Sequence, residues 1–257
     1  MAHRTPRADR QTEGADLLRF DKGGGISPVH RETLQDRVYA ELRRSLIHGL
    51  FATGEILRIV DLADRLNTST MPVREALGRL VSEHALEALP NRSVRVPPMT
   101  RARLDDLSRA RVLIESQVTL LAMPNLGPEH FARLRALTEQ CEAAFGTYDP
   151  AVIRTATELN HAFHYTIYQA SGSAVLLPLI ESLWLQSGPY VQSAAVLHQE
   201  RNDPAGTHHH WQLIAALEGH DGPAAVESLT ADISRAFNLI AARLDAEAAA
   251  DRASANG

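Results

Sequence analysis

The chain is short of sulfur, of aromatic residues and of charge of one sign. Its single cysteine, Cys141, excludes an internal disulfide and any multi-cysteine zinc cluster, and suits a reducing cytoplasm. Aromatic residues are only 5% of the sequence, while Ala and Leu are frequent, which favours helices over β-sandwiches. No apolar run is long enough to span a membrane and the N-terminus carries no apolar secretion core, so no membrane partner is expected. A glycine-rich phosphate loop and a nucleophile motif are also missing, and an enzyme is not expected.

Apolar residues make up 44% of the chain, ample for a core, and 257 residues suit one or two domains. The net charge of −5 is unevenly spread. Residues 31–100 hold ten basic and nine acidic side chains, whereas residues 101–257 hold eleven and eighteen. A nucleic-acid contact made by the near-neutral N-terminal part would gain little from counterion release. Useful affinity then calls for directed contacts and a homodimer on a two-fold site.

The most informative stretch is Gly54 to Val96. Ile59, Leu62, Ala63 and Leu66 share a helical face, and Asn67 tolerates the left-handed turn that ends it. Ser69 and Thr70 are placed to cap a second helix, with Pro72 in its first turn. There Val73, Ala76, Leu77, Leu80 and Val81 follow the spacing of a buried face. Thr70, Met71, Arg74 and Gly78 fall on the opposite side. Leu86–Leu89 and Val94–Val96 read as two short strands around a Pro90–Ser93 turn. A helix-turn-helix with a β-wing lays its second helix in the major groove of double-stranded DNA. An amphipathic helix over 34–50, with Val38, Leu42, Leu46 and Ile47 on one face, should pack beneath it.

On that reading Arg74 bonds guanine or clamps a phosphate. Ser69 and Thr70 suit phosphate or base contacts near a helix N-terminus. Met71 can touch a thymine methyl, and Gly78 lets DNA approach. Asn91, Arg92 and Ser93 form the wing tip, where Arg92 suits the minor groove or the backbone.

The texture changes near Pro97-Pro98. Residues 1–29 read as a tail, 30–98 as the winged helix-turn-helix, 99–250 as an all-α domain and 251–257 as a frayed end. Six helices are expected in the all-α part, from about 101, 129, 151, 174, 207 and 223 onward, giving a mainly α fold with a helical bundle. Asn160 and His164, four apart, share a face of the third of these helices. His210 opens the fifth and Asp232 lies on the sixth. Two imidazoles, a carboxylate and an amide can hold a divalent transition metal with positions left for a ligand, but spacing alone leaves open whether they meet. His208 and His209 read as solvent-exposed bystanders. Arg111 can face inward and grip a carboxylate, or pair with Glu115 four residues on.

Over some forty positions the N-terminal stretch resembles the GntR family of bacterial regulators. Leu57, Leu62-Ala63, Leu66, Ser69, Pro72-Val73-Arg74-Glu75-Ala76-Leu77, Leu80, Leu86, Arg92 and Val96 carry the match. Asn67, Thr70 and Ser93 stand where that family usually has Gly, Arg and Gly. Arg111 with Glu115, Phe163-His164, His210 with Ala216-Leu217, and Gly222 resemble the FCD ligand-binding domain of one branch. The resemblance implies a bacterial, cytoplasmic transcription regulator, commonly a repressor. It implies a central metal (Zn, Ni or Mn) held by Asn160, His164, His210 and Asp232. The last of these stands where the family usually has His. It further implies a small carboxylate effector bound at Arg111.

Overall fold

The computed structural model describes residues 33–90, 93–145, 150–200 and 207–255. Helix α1 (Leu34–Ile47) starts at Thr33, whose hydroxyl accepts from the Asp36 amide while Asp36 accepts from the Thr33 amide, a reciprocal cap. It buries Val38, Leu42, Leu46 and Ile47, the face expected, and stops three residues short of Leu50 because Gly49 turns left-handed at φ 67°. Helices α2 (Ile59–Arg65) and α3 (Thr70–Ser82) are joined through Asn67, at φ 48°. Val73, Ala76, Leu77 and Leu80 of α3 are buried, while Val81 is only partly so.

The wing contains one strand more than the sequence reading. Besides β2 (Glu87–Ala88) and β3 (Val94–Arg95), β1 (Ile56–Leu57) pairs antiparallel with β3, which is central in the order β1-β3-β2. A two-residue strand beside Gly54 has no periodicity to read. Its pairing is extended by bonds from the Gly54 amide to Val96 and from the Val96 amide to Glu55.

The rest is helical: α4 (Arg101–Ala122), a 3-10 turn at Met123–Asn125, α5 (Pro128–Phe145), α6 (Pro150–Gln169), α7 (Leu176–Glu200), α8 (His208–Glu218) and α9 (Gly222–Ala255). Helix α9 runs on to Ala255, past the point where its apolar pattern fades. The core of the bundle is built on Trp184, Tyr168, Phe163, Leu134 and Ile180, all essentially inaccessible. None of the described helices is long and apolar enough to cross a membrane.

Helix α7 ties the bundle to the N-terminal part. Gly188 sits so close to the end of α1 that an added Cβ would lie 2.0 Å from the Leu46 carbonyl oxygen and 2.5 Å from that of Ile47. Pro189 follows inside the helix, so the Leu185 carbonyl loses its usual helical donor. Arg43 of α1 pairs with Glu181 at 2.8 Å. Arg103 of α4 bonds both the His84 carbonyl beyond α3 (3.2 Å) and Gln186 of α7 (3.3 Å).

Candidate functional sites

The outer face of α3 is the first candidate. Thr70, Met71, Arg74 and Gly78 are all exposed, Met71 by 60%. Arg74 is exposed and makes no hydrogen bond or ion pair among the described residues. Arg79 on the same helix differs: it stacks on the Tyr39 ring at 3.6 Å and pairs with Glu83. Ser69 occupies the N-cap position of α3 with extended backbone but makes no side-chain capping bond. A Cβ at Gly78 would meet nothing within 4 Å, so packing does not demand glycine there. At the wing, the Ser93 carbonyl accepts from the Leu89 amide at 2.9 Å, while Asn91 and Arg92 lie outside the described residues.

The second candidate lies inside the bundle. Asn160 and His164 on α6, His210 on α8 and Asp232 on α9 converge. His164 Nε2 is 3.0 Å from Asp232 Oδ2, and His210 Nε2 is 3.8 Å from Asp232 Oδ1 and 3.1 Å from Asn160 Oδ1. Both histidines are buried, and Phe163 stacks on His210 with ring centres 3.9 Å apart. Burial drives the His210 imidazole down to about 3, outweighing the attraction of Asp232. Burial opposes ionisation of Asp232, yet His210, His164 and Arg235 together hold its carboxyl well below the usual range.

These residues fit a metal cation. One ligand atom from each of His164, His210 and Asp232 can be chosen so that all lie within 4.8 Å of one another. Metal bonds of about 2.1 Å place neighbouring ligand atoms roughly 3.0 to 3.4 Å apart; two of the observed separations, 3.0 and 3.1 Å, fall in that range, and the 3.8 Å from His210 to Asp232 is longer. The hydrogen bonds of His164 point the same way. Its Nδ1 faces the Tyr168 hydroxyl oxygen at 3.3 Å, and that hydroxyl donates to Glu115 at 2.5 Å. Both ring nitrogens therefore face acceptors, which a neutral imidazole with one proton cannot satisfy. A second proton or a metal at Nε2 resolves the conflict.

A cavity of about 60 Å³ adjoins this centre, lined among others by Arg111, Asn160, His164, Val191, Asp232 and Arg235. Of the two partners open to Arg111, Glu115 is engaged: Nε donates at 2.6 Å and Nη2 at 3.2 Å, both residues being buried. Burial works against the Arg111 charge, and Glu115 more than offsets it. The guanidinium also lies 4.2 Å from the Trp184 ring centre, and Trp184 Nε1 donates to Glu115. Sequence reasoning missed Tyr168, Trp184 and Arg235. Tyr168 follows His164 by four and Arg235 follows Asp232 by three, so helical spacing held that signal. Trp184 comes from a separate helix and left none.

Comparison with known proteins agrees with this architecture. Residues 34–96 match the family model of bacterial regulatory proteins of the gntR family, and residues 106–235 match that of the FCD domain. The chain is 33% identical over 201 residues to the HTH-type transcriptional regulator McbR of Escherichia coli K12, covering 77% of this chain and 88% of that protein. It is 31% identical over 152 residues to the HTH-type transcriptional repressor GlaR of the same organism, covering 57% and 67%. The solved structure of E. coli McbR/YncC superposes with a TM-score of 0.73 at 29% identity, covering 82% of this chain and 99% of that one. A GntR structure from Rhodococcus sp. RHA1, at 21% identity and TM-score 0.65, shares the fold. From the winged reader and the helical domain behind it, the chain belongs to the GntR family, in the branch that carries an FCD domain.

Proposed function

We propose that this protein is a sequence-specific transcription regulator, acting as a repressor in the bacterial cytoplasm. Its operator affinity is set by a small carboxylate bound in the bundle. Residues 30–98 form the reader and residues 99–250 the receptor. Two copies form a homodimer, since one near-neutral reader gains too little from phosphates alone. Arg74 makes the main base or phosphate contact, supported by Ser69, Thr70, Met71 and Gly78 on α3 and by Asn91, Arg92 and Ser93 at the wing.

The observation that carries the reading is the shared cavity: Arg111, Asn160, His164 and Asp232 line one small space, and His210 reaches Asn160 and Asp232 beside it. Those four residues would hold Zn²⁺, Ni²⁺ or Mn²⁺. The metal would supply a Lewis-acidic anchor for one carboxylate oxygen. The guanidinium would orient the anion through Nη1, which has no hydrogen bond to the described residues, or by leaving Glu115. Helix α7 gives the signal a route, because Val191, Ala194 and Ala195 line the cavity while Glu181 and Gly188 meet α1.

One observation favours a second reading. Glu115 already engages two donors of Arg111, so a direct metal sensor without an organic effector needs no rearrangement there. Fluorescence anisotropy of operator DNA separates the two. Small carboxylates titrated with and without metal should weaken binding only in the metal-loaded protein. Release by metal alone would favour the second reading, and no response to either would overturn both.

A further inference from the structure

We infer that Glu115 is a positioning residue that fixes the tautomer of His164 through Tyr168, and so keeps the metal-facing nitrogen of His164 open. This rests on the proposed metal centre but draws on groups outside it. Glu115 is fully buried, and among the described residues its carboxylate hydrogen-bonds only to donors: Arg111 Nε at 2.6 Å and Nη2 at 3.2 Å, the Tyr168 hydroxyl at 2.5 Å and Trp184 Nε1 at 3.3 Å. Tyr168 has one hydroxyl proton. A short bond to a charged carboxylate outcompetes a 3.3 Å approach to His164 Nδ1, so that proton belongs to Glu115.

The Tyr168 oxygen is then an acceptor, and His164 Nδ1 must carry a proton to meet it. The lone pair of Nε2 is left for a cation beside Asp232. Without Glu115 the arrangement reverses. The Tyr168 proton turns to Nδ1, the ring proton moves to Nε2, and Nε2–H bonds Asp232, 3.0 Å away. That neutral pair satisfies itself and closes the site to metal. Glu115 also grips Arg111, so one carboxylate arranges both the anchor for the metal and the guanidinium beside the cavity.

The test uses the full chain labelled with 15N-histidine, with His164 assigned by its loss in His164→Gln. Long-range 1H–15N spectra read which ring nitrogen is protonated, and calorimetric titration with Zn²⁺ alone reads affinity. Wild type should carry the Nδ1 proton alone with Zn²⁺ bound and, without metal, both ring protons, the second accepted by Asp232. Tyr168→Phe and Glu115→Gln should each leave only the Nε2 proton and weaken Zn²⁺ binding about 10- to 100-fold. The double variant should bind no more weakly than either single one, because both act on one relay. Tyr168→Phe keeps the charge pair intact and stays informative if Glu115→Gln fails to fold. A Tyr168→Phe protein that retains the Nδ1 proton and binds Zn²⁺ within about twofold of wild type would overturn the relay. A wild type that takes up no Zn²⁺ would instead remove the metal centre, and the tautomer comparison would still decide the relay.

Discussion

The outer face of α3 and the centre of the bundle handle polar side chains in opposite ways. On α3, Arg74 and its neighbours are exposed, and Arg74 makes no hydrogen bond or ion pair among the described residues. In the bundle Arg111, Glu115, Tyr168 and His164 are buried and bonded to one another. An uncommitted surface group costs nothing until a partner arrives. A buried charge must be satisfied at once, so the bundle's polar groups support the fold as well as any ligand. Substitutions on α3 should therefore change DNA binding without changing stability, whereas those at the centre should change both.

Acid should separate the two regions most. Burial holds His161 and His210 down to about 3 from 6.5, so the unfolded chain takes up two protons that the folded one refuses. With more protons bound in the unfolded state, stability falls as pH drops from about 6.5 toward 3. The slope reaches about 1.4 kcal/mol per pH unit for each histidine. Melting of metal-free protein should drop steadily from pH 7 to pH 4, and His161→Phe should remove about half the slope. A flat profile would break the contrast.

Glu115→Ala comes next. It strands the buried Arg111 charge and should cost about 3–5 kcal/mol in chemical denaturation. Gly188→Ala probes the joint between the regions. Its methyl would fall on the Leu46 carbonyl oxygen, so the helices must part, at about 1–3 kcal/mol. That variant should also uncouple operator affinity from effector, read by anisotropy. Met71→Ala should have the smallest effect: melting unchanged and DNA affinity lowered by less than about 1 kcal/mol, as for a lost methyl contact.

The same contrast governs what was legible beforehand. The faces of α1 and α3 follow from apolar spacing, because each needs only one side buried. Asn67 announced its left-handed turn. Strand β1 was illegible because it is held by the backbone of β3 rather than by a pattern of its own. At the centre, the pairs Asn160–His164 and Arg111–Glu115 were readable as helical i, i+4 neighbours. Convergence of α6, α8 and α9 was not, since it depends on how the helices pack. Tyr168 was marked only by its i, i+4 spacing from His164 and Trp184 by nothing; their hydrogen bonds to Glu115 depend on the packed bundle. The close seat of Gly188 on α1 depends in the same way on a neighbour distant in sequence.

The most direct test is selection of binding sites from random double-stranded DNA by the purified full-length protein, followed by affinity measurement for wild type and Arg74→Ala. The account predicts a two-fold symmetric site with half-sites about one helical turn apart. It also predicts that Arg74→Ala loses the preference for that site while melting as wild type does. A protein that enriches no sequence over random competitor, or an Arg74→Ala variant that binds the selected site as tightly as wild type, would contradict it.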